Sequence, residues 1–281
     1  TNNLYEKKET YSLPKPVNLI TDSSSQDFLF LAQKDAQTQK LGGLLMFDTK
    51  NKKFIDLGTF LSQDVEIEVS PQNEIFFLEK GGLYKIDANG TKKTLIDPDI
   101  NGFLFEGDNF YYLKNNSLFV ASSPGQKGEK IVGNLPDFTS AKIFINFNRQ
   151  AYLLLDKTLY KVSNNLEKLA ENVSDINFNR ADSSMAVVSG SEILRTRQDK
   201  EGLDFITRSK EALYNPRLAN KIDYCLFLKN NKIIALELDA RDKQNEFTLY
   251  QGKDVLKFEV DASGENLTVL DGTELKNVKI R

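Results

Sequence analysis

An all-β fold of seven repeats, closed into a ring by its amino-terminal strand, is predicted by three recurring features. The first is a short apolar strand, seen as Gly43–Asp48, Gly82–Asp87, Ser117–Ser122 and Thr158–Ser163, with weaker copies at Glu192–Arg195, Lys232–Ala235 and Glu274–Val278. With Leu44, Leu83, Leu118, Leu159, Ile193, Ile233 and Leu275 taken as equivalents, the steps are 39, 35, 41, 34, 40 and 42 residues. The second is a strand that is apolar on both faces, which precedes each copy. The third is an Asp that leads into five of the units. A period of about 40 residues built from β-strands is that of propeller blades.

The doubly apolar strands are Phe28–Leu31, Ile75–Leu78, Phe110–Leu113, Tyr152–Leu155, Met185–Val188, Tyr224–Phe227 and Leu267–Leu270. A strand sandwiched between neighbouring sheets has this pattern, so Phe30, Phe77, Tyr112, Leu154, Val188 and Phe227 are expected to be buried between blades. Turn residues separate these strands from the next: Glu79-Lys80-Gly81-Gly82, Lys114-Asn115-Asn116, Lys229-Asn230-Asn231 and Asp271-Gly272. A more polar outer strand follows, such as Phe54–Leu57 or Lys92–Leu95. The leading Asp appears as Asp64, Asp99, Asp137, Asp175 and Asp254, with steps of 35, 38, 38 and 79. The last step is two periods. The missing copy falls near Asn215–Leu218, and the first copy is read at Pro16–Leu19.

Each unit is therefore a four-stranded antiparallel meander. The seven blades are expected at about 16–58, 64–97, 99–135, 137–173, 175–212, 215–252 and 254–281 plus 3–12, forming a single β-propeller domain over 1–281. The seventh blade runs out of chain after its third strand, so Leu4–Tyr11 is expected to supply the fourth. Its alternation places Tyr5, Lys7, Glu9 and Tyr11 on one face. Such closure removes open sheet edges.

Composition narrows the chemistry. With 37 basic and 40 acidic residues the formal charge is −3, which offers no field for nucleic acid and no polybasic membrane surface. There is no His, which removes the usual general base, the usual zinc ligand and the Ser-His-Asp and Cys-His arrangements. The one cysteine, Cys225, lies on an apolar strand and reads as a buried small hydrophobe. No apolar stretch approaches 18 residues. A chain that begins Thr1-Asn2-Asn3 reads as a mature or excised domain from which a targeting or anchoring segment has been removed.

These repeats resemble seven-bladed propellers of the broad TolB-like and WD40-like type, over essentially the whole chain. The resemblance is carried by architecture. The chain has no Trp, so the Trp-Asp dipeptide is absent. The Ser-Pro-Asp-Gly turn of TolB-like blades survives only in degenerate forms such as Ser70-Pro71-Gln72-Asn73, Asp22-Ser23-Ser24-Ser25 and Asp261-Ala262-Ser263-Gly264. Propellers of this type also occur as outer domains of membrane-anchored bacterial surface proteins, sometimes behind a small PEGA-type domain. The resemblance thus implies an extracytoplasmic or cell-surface place, with a cytoplasmic one left open.

Two constellations are candidates for binding. An Asp just before a strand accepts backbone N–H bonds and holds a turn. In a propeller the same loop lies at the mouth of the central channel, where Asp64, Asp99, Asp137, Asp175 and Asp254 would form an acidic ring. In blade five Arg195, Arg197, Lys200, Arg208 and Lys210 gather around an outer hairpin, with Arg180 and Arg217 near in sequence. They form either a solvated basic rim or a site for an anionic glycan, phosphate or acidic surface. Few aromatics interleave there, which disfavours single-stranded nucleic acid. Asp97-Pro98-Asp99-Ile100-Asn101-Gly102, with Asp108, has the spacing of a calcium loop, but Asp99 occupies the repeat's own register, and no metal or cofactor is expected.

Catalytic boxes are missing: no Gly-x-Ser-x-Gly, no Gly-rich phosphate loop and no sialidase-type Asp box. The reading is a non-catalytic, monomeric interaction module that presents loops to a protein, peptide or glycan. The alternative is a carbohydrate- or peptide-processing propeller with an unrecognised carboxylate site.

Overall fold

A computed structural model of the chain describes residues 5–13, 19–21, 28–34, 41–48, 51–58, 66–72, 74–87, 92–146, 148–179, 184–197, 200–219, 223–239, 244–260 and 265–280. These residues form seven four-stranded antiparallel sheets and no helix.

The first strand, β1 (Tyr5–Ser12), belongs to the last sheet. Blade one holds β2 (Leu19–Thr21), β3 (Phe28–Lys34), β4 (Leu41–Asp48) and β5 (Lys53–Gly58). Blade two holds β6 (Glu66–Val69), β7 (Ile75–Glu79), β8 (Gly82–Ile86) and β9 (Lys93–Asp97). Blade three holds β10 (Gly102–Glu106), β11 (Asn109–Lys114), β12 (Ser117–Ala121) and β13 (Glu129–Val132). Blade four holds β14 (Ala141–Ile145), β15 (Ala151–Leu155), β16 (Thr158–Val162) and β17 (Leu166–Ala170). Blade five holds β18 (Val173–Asn179), β19 (Ser184–Ser189), β20 (Glu192–Arg197) and β21 (Lys200–Arg208). Blade six holds β22 (Tyr214–Ala219), β23 (Tyr224–Lys229), β24 (Lys232–Glu237) and β25 (Glu246–Gln251). Blade seven holds β26 (Val255–Val260), β27 (Asn266–Asp271) and β28 (Glu274–Ile280), completed by β1.

Local chemistry makes each meander. The second and third strands of blades two to seven are joined by two-residue turns, as in Glu79↔Gly82, Lys114↔Ser117 and Lys229↔Lys232. Lys80 and Gly81, Asn115 and Asn116, and Asn230 and Asn231 all have positive φ, the signature of the type I′ turn whose twist matches the strands it joins. Asn enters the left-handed region at low cost, which is why it recurs there.

The first strands of adjacent blades approach one another, β6 with β10, β10 with β14, β18 with β22, β22 with β26, and β26 with β2. They surround the axis, and the β26–β2 approach closes the ring. The latch strand β1 pairs with β28 from Tyr5↔Ile280 to Ser12↔Glu274. One detail differs from the simple alternation expected of it. A bulge between Lys7 and Glu9 inserts Lys8 opposite a single partner, so the residues on either side of it are no longer in one alternating register. Past the bulge, Tyr11 packs on Phe47 of blade one with ring centroids 5.3 Å apart. A cluster of Leu31, Leu45, Phe47, Leu270 and Leu275 joins the last blade to the first there.

The core lies between blades. Phe77, Val188, Phe227 and Tyr112 are buried as expected. Leu154 is only half-buried, because it packs at the margin of a cluster in which its register partner Leu159, with Met185 and Val187, takes the deepest positions. The side chain of Phe30 lies outside the described residues. Burying each large apolar side chain is worth ~2 kcal/mol.

Candidate functional site

In each blade the first strand starts at the end of the ring where the second-to-third turn lies. The loops that enter the inner strands and these two-residue turns therefore share one face. Asp99, Asp137 and Asp254 sit there, exposed, and Asp175 is half-buried within β18. Asp64 lies outside the described residues.

Most of the hydrogen bonding that ties this face together falls on other residues. Lys114 Nζ donates to Asp97 Oδ1 at 2.8 Å and stands 3.8 Å from Asp99. Asn116 Nδ2 donates to Asp137 Oδ1 at 2.9 Å. Asp156 Oδ1 accepts the Thr139 and Ser140 N–H groups at 3.0 Å each and the Thr139 hydroxyl at 2.8 Å, bonds that hold its carboxyl below the usual range. Among the recurring Asp residues, Asp175 bridges blades, accepting the Asn215 N–H at 2.6 Å. The calcium-like spacing is not assembled either. Asp97 is held by Lys114, and Asp108 lies beyond β10, a five-residue strand. Among the described residues no group of three or more acidic or Cys side chains is placed to hold a metal.

The densest network closes blade seven. Asp271 Oδ1 accepts the N–H groups of Lys253 at 3.1 Å and Asp254 at 2.9 Å. Its Oδ2 accepts Tyr250 OH at 2.8 Å and Lys276 Nζ at 2.6 Å. Burial alone would raise the Asp271 carboxyl, but the bonds from Lys276, the Asp254 N–H and Tyr250 outweigh it and hold it at about 2. Burial would likewise lower Lys276, and its bonds to Asp271, Tyr250 and Glu274 hold it well above its ordinary value. Gly252 permits this approach, since a Cβ there would lie 2.7 Å from Asp271 Cγ.

The basic residues of blade five do not form one patch. Arg208 pairs in register with Glu192 and its guanidinium grips that carboxylate, with Nε 2.9 Å from Oε1. Arg195 alternates onto the other face with Ile193, towards Cys225 of blade six, and its buried Nε has no hydrogen-bond partner among the described residues. The Arg197 side chain and Arg180 lie outside what is described. Arg217, 5% exposed, sits on the inner strand β22, with Nη2 2.6 Å from Glu259 Oε1. Burial pushes the Cys225 thiol up to about 12, as suits a core side chain.

Charge on the inner strands is what sequence reading missed. Glu66 and Glu68 alternate on β6, with Ile67 and Val69 facing the core between blades one and two. Glu66 is half-buried. Burial pushes it up and nearby Glu68 adds to this; Lys142 of β14 and the Phe103 N–H offset only part, leaving it at about 8. Lys257 and Glu259 on β26 and Arg217 on β22 continue this polar inner edge. The signal was present in Glu66-Ile67-Glu68, charges at alternate positions of an innermost strand, beside the Asp64 that drew the attention.

No protein family and no curated protein matches the sequence. Solved structures do match. The WD40 domain of Neurospora crassa Pan2 aligns with a TM-score of 0.66 at 11% identity, covering 100% of this chain and 97% of that one. The chain is a seven-bladed β-propeller. A catalytically inactive virginiamycin B lyase from Staphylococcus aureus with quinupristin aligns at TM-score 0.65 and 14% identity, over 98% of the propeller and 100% of the lyase. The extracellular domain of a one-component system from B. thetaiotaomicron gives 0.61 at 11%, over 98% of the propeller and 42% of that longer chain. Identities this low carry the fold alone.

Proposed function

We propose that residues 1–281 act as one rigid, non-catalytic interaction domain that recognises a protein, peptide or glycan through the loops entering its inner strands. The observation that carries this reading is the exposed display of Asp99, Asp137 and Asp254 on loops pinned by cross-links such as Lys114–Asp97, Asn116–Asp137 and Asp271–Asp254. Pinned loops lose little entropy on binding, and carboxylates at a channel mouth favour cationic groups. The Pan2 domain and a chain of the mitotic checkpoint complex support a protein-binding role by likeness of fold. The extracellular domain from B. thetaiotaomicron supports a place outside the cytoplasm, a membrane being reached only through an anchor segment elsewhere in the protein. The likeness to the lyase, at 14% identity, carries the fold and no chemistry. Nucleic acid is disfavoured by the net charge of −3.

In-cell cross-linking of the wild type against the triple variant Asp99→Asn, Asp137→Asn, Asp254→Asn tests the reading. The expected result is a partner lost from the variant at an unchanged melting temperature; identical partner sets would contradict it. One observation favours the alternative, a carboxylate-only hydrolase. Glu66, protonated at neutral pH beside Glu68, has the state a general acid requires. Turnover of glycan or peptide substrates that Glu66→Gln abolishes would establish it.

A further inference from the structure

Among the described residues five large apolar side chains are exposed. Four of them, Leu95, Ile131, Phe205 and Phe247, lie on the outer strands of their blades. The fifth is Tyr214, 52% exposed at the start of the inner strand β22 and therefore on the Asp-bearing face. A bulge aims it. Tyr214 pairs with Leu228 and Arg217 with Leu226, so Asn215 and Pro216 together stand opposite Phe227. Plain alternation would turn Tyr214 and Arg217 to opposite sides of the sheet. The bulge brings both to the side of Leu226 and Leu228, which packs on Val255 and Phe258 of blade seven. Asn215 makes this possible with a φ of 52° in the left-handed region. It is buried and locked from both sides, its N–H donating to Asp175 of blade five and its Nδ2 to the Phe258 carbonyl of blade seven. Tyr214 thus stands open to solvent on a rigid base.

The turn that leads into β26 is stapled to the same blade. The Asn231 carbonyl accepts the Gly252 N–H at 3.1 Å, and Asn231 Nδ2 donates to the Lys253 carbonyl at 3.1 Å. Lys253 and Asp254 are exposed there, with their N–H groups held by Asp271. The Tyr214 hydroxyl, the Lys253 ammonium and the Asp254 carboxylate make no hydrogen bond or ion pair among the described residues.

We infer that Tyr214 is the platform of a site for a neutral sugar ring, whose C–H face lies on the phenol while its hydroxyls bond to Asp254 and Lys253. A half-exposed tyrosine offers a large, stiff apolar face with a polar tip. Sugar hydroxyls both donate and accept, which matches a carboxylate that only accepts beside an ammonium that only donates. A cationic group would be repelled by Lys253 and an anionic one by Asp254. A wholly apolar group would strand both charges. The locked bulge and stapled turn lose little freedom when the ring docks. The inference rests on the interaction reading and deepens it, choosing a glycan as the ligand class and adding an aromatic anchor that the carboxylates lack.

The full chain, tetramerised through a biotin tag, is applied to an array of neutral and sialylated oligosaccharides, and the strongest neutral binder is then titrated by calorimetry. Neutral oligosaccharides are expected to bind. Tyr214→Ala should weaken that binding about tenfold, Tyr214→Phe less than about twofold, and Asp254→Asn about fivefold. Tyr214 and Asp254 are exposed, so the variants should fold, and unchanged melting curves check this. A silent array, binding of sialylated glycans alone, or equal affinity for wild type and Tyr214→Ala would each overturn the inference. A silent array combined with a cross-linked partner lost from the triple Asp variant would sink the sugar site and leave the interaction reading standing.

Discussion

Two carboxylates withdrawn from water behave in opposite ways. Asp271, at the end of β27 where blade six meets blade seven, is held at about 2. Glu66, on the inner strand of blade two, is raised to about 8. Both are withdrawn from water, so burial does not decide which is charged. Partners do. Asp271 is offered two backbone N–H groups, a phenol and an ammonium; Glu66 has one N–H and the charge of Lys142, which burial and the carboxylate of Glu68 outweigh. The first arrangement ties blade six to blade seven. The second costs stability, and groups of that kind concentrate where a protein does something.

The contrast breaks most visibly at the latch. Removing residues 1–13 deletes the partner of β28 and with it several ladder bonds of ~1 kcal/mol each. The melting temperature should fall sharply and self-association should appear by sedimentation, with strand content by circular dichroism nearly unchanged. A monomer with an unaltered melting curve would show that the blade does not depend on β1. Next in size is Lys276→Met, which leaves Asp271 buried without its cation and should cost about 3–5 kcal/mol in urea unfolding at pH 7.

Glu66→Gln should act in the other direction. It removes a carboxylate that must ionise in an unfavourable place, so it should stabilise the protein at pH 9, on the order of 2 kcal/mol after allowance for water in the channel. The signs follow from linkage. The folded value of Glu66 lies above its ordinary 4.5, so its contribution is complete below about 4.5 and is lost as pH rises through 8. The folded value of Asp271 lies below its ordinary 3.8, so its contribution is present above about 4 and is lost as pH falls towards 2. A stability profile of the wild type should therefore decline from pH 5 to 9, and Glu66→Gln should flatten that limb alone. Smallest of all, Asp99→Asn should alter stability by less than about 0.5 kcal/mol, as for an exposed side chain whose ion pair is loose.

The fold was legible because its signals are local and repeated. Doubly apolar strands and Asn-Asn or Lys-Gly turns each act within ten residues, and their recurrence about every 40 residues lets the copies reinforce one another. Even the latch could be read, since blade seven is one strand short; the bulge at Lys8 could not, because it depends on how β28 presents its edge. The site was less legible for a physical reason. Asp99, Asp137 and Asp254 share a register, but sequence cannot tell which carboxylate a turn will use, and the structure gives much of that work to Asp156 and Asp271. Arg195 and Arg208 looked like neighbours until strand alternation and the bulge between Ile193 and Leu194 put them on opposite faces. Glu66 was hidden because its surroundings come from three blades.

The most direct measurement is a 13C NMR titration of the side-chain carboxyls from pH 2 to 9.5, with Glu66→Gln and Asp271→Asn assigning the two signals. The expected result is one glutamate with a midpoint near 8 and one aspartate still ionised at pH 3. Midpoints for both near 4 would mean that neither carboxylate feels the partners described here, and the account of how this ring sorts its buried charge would fail.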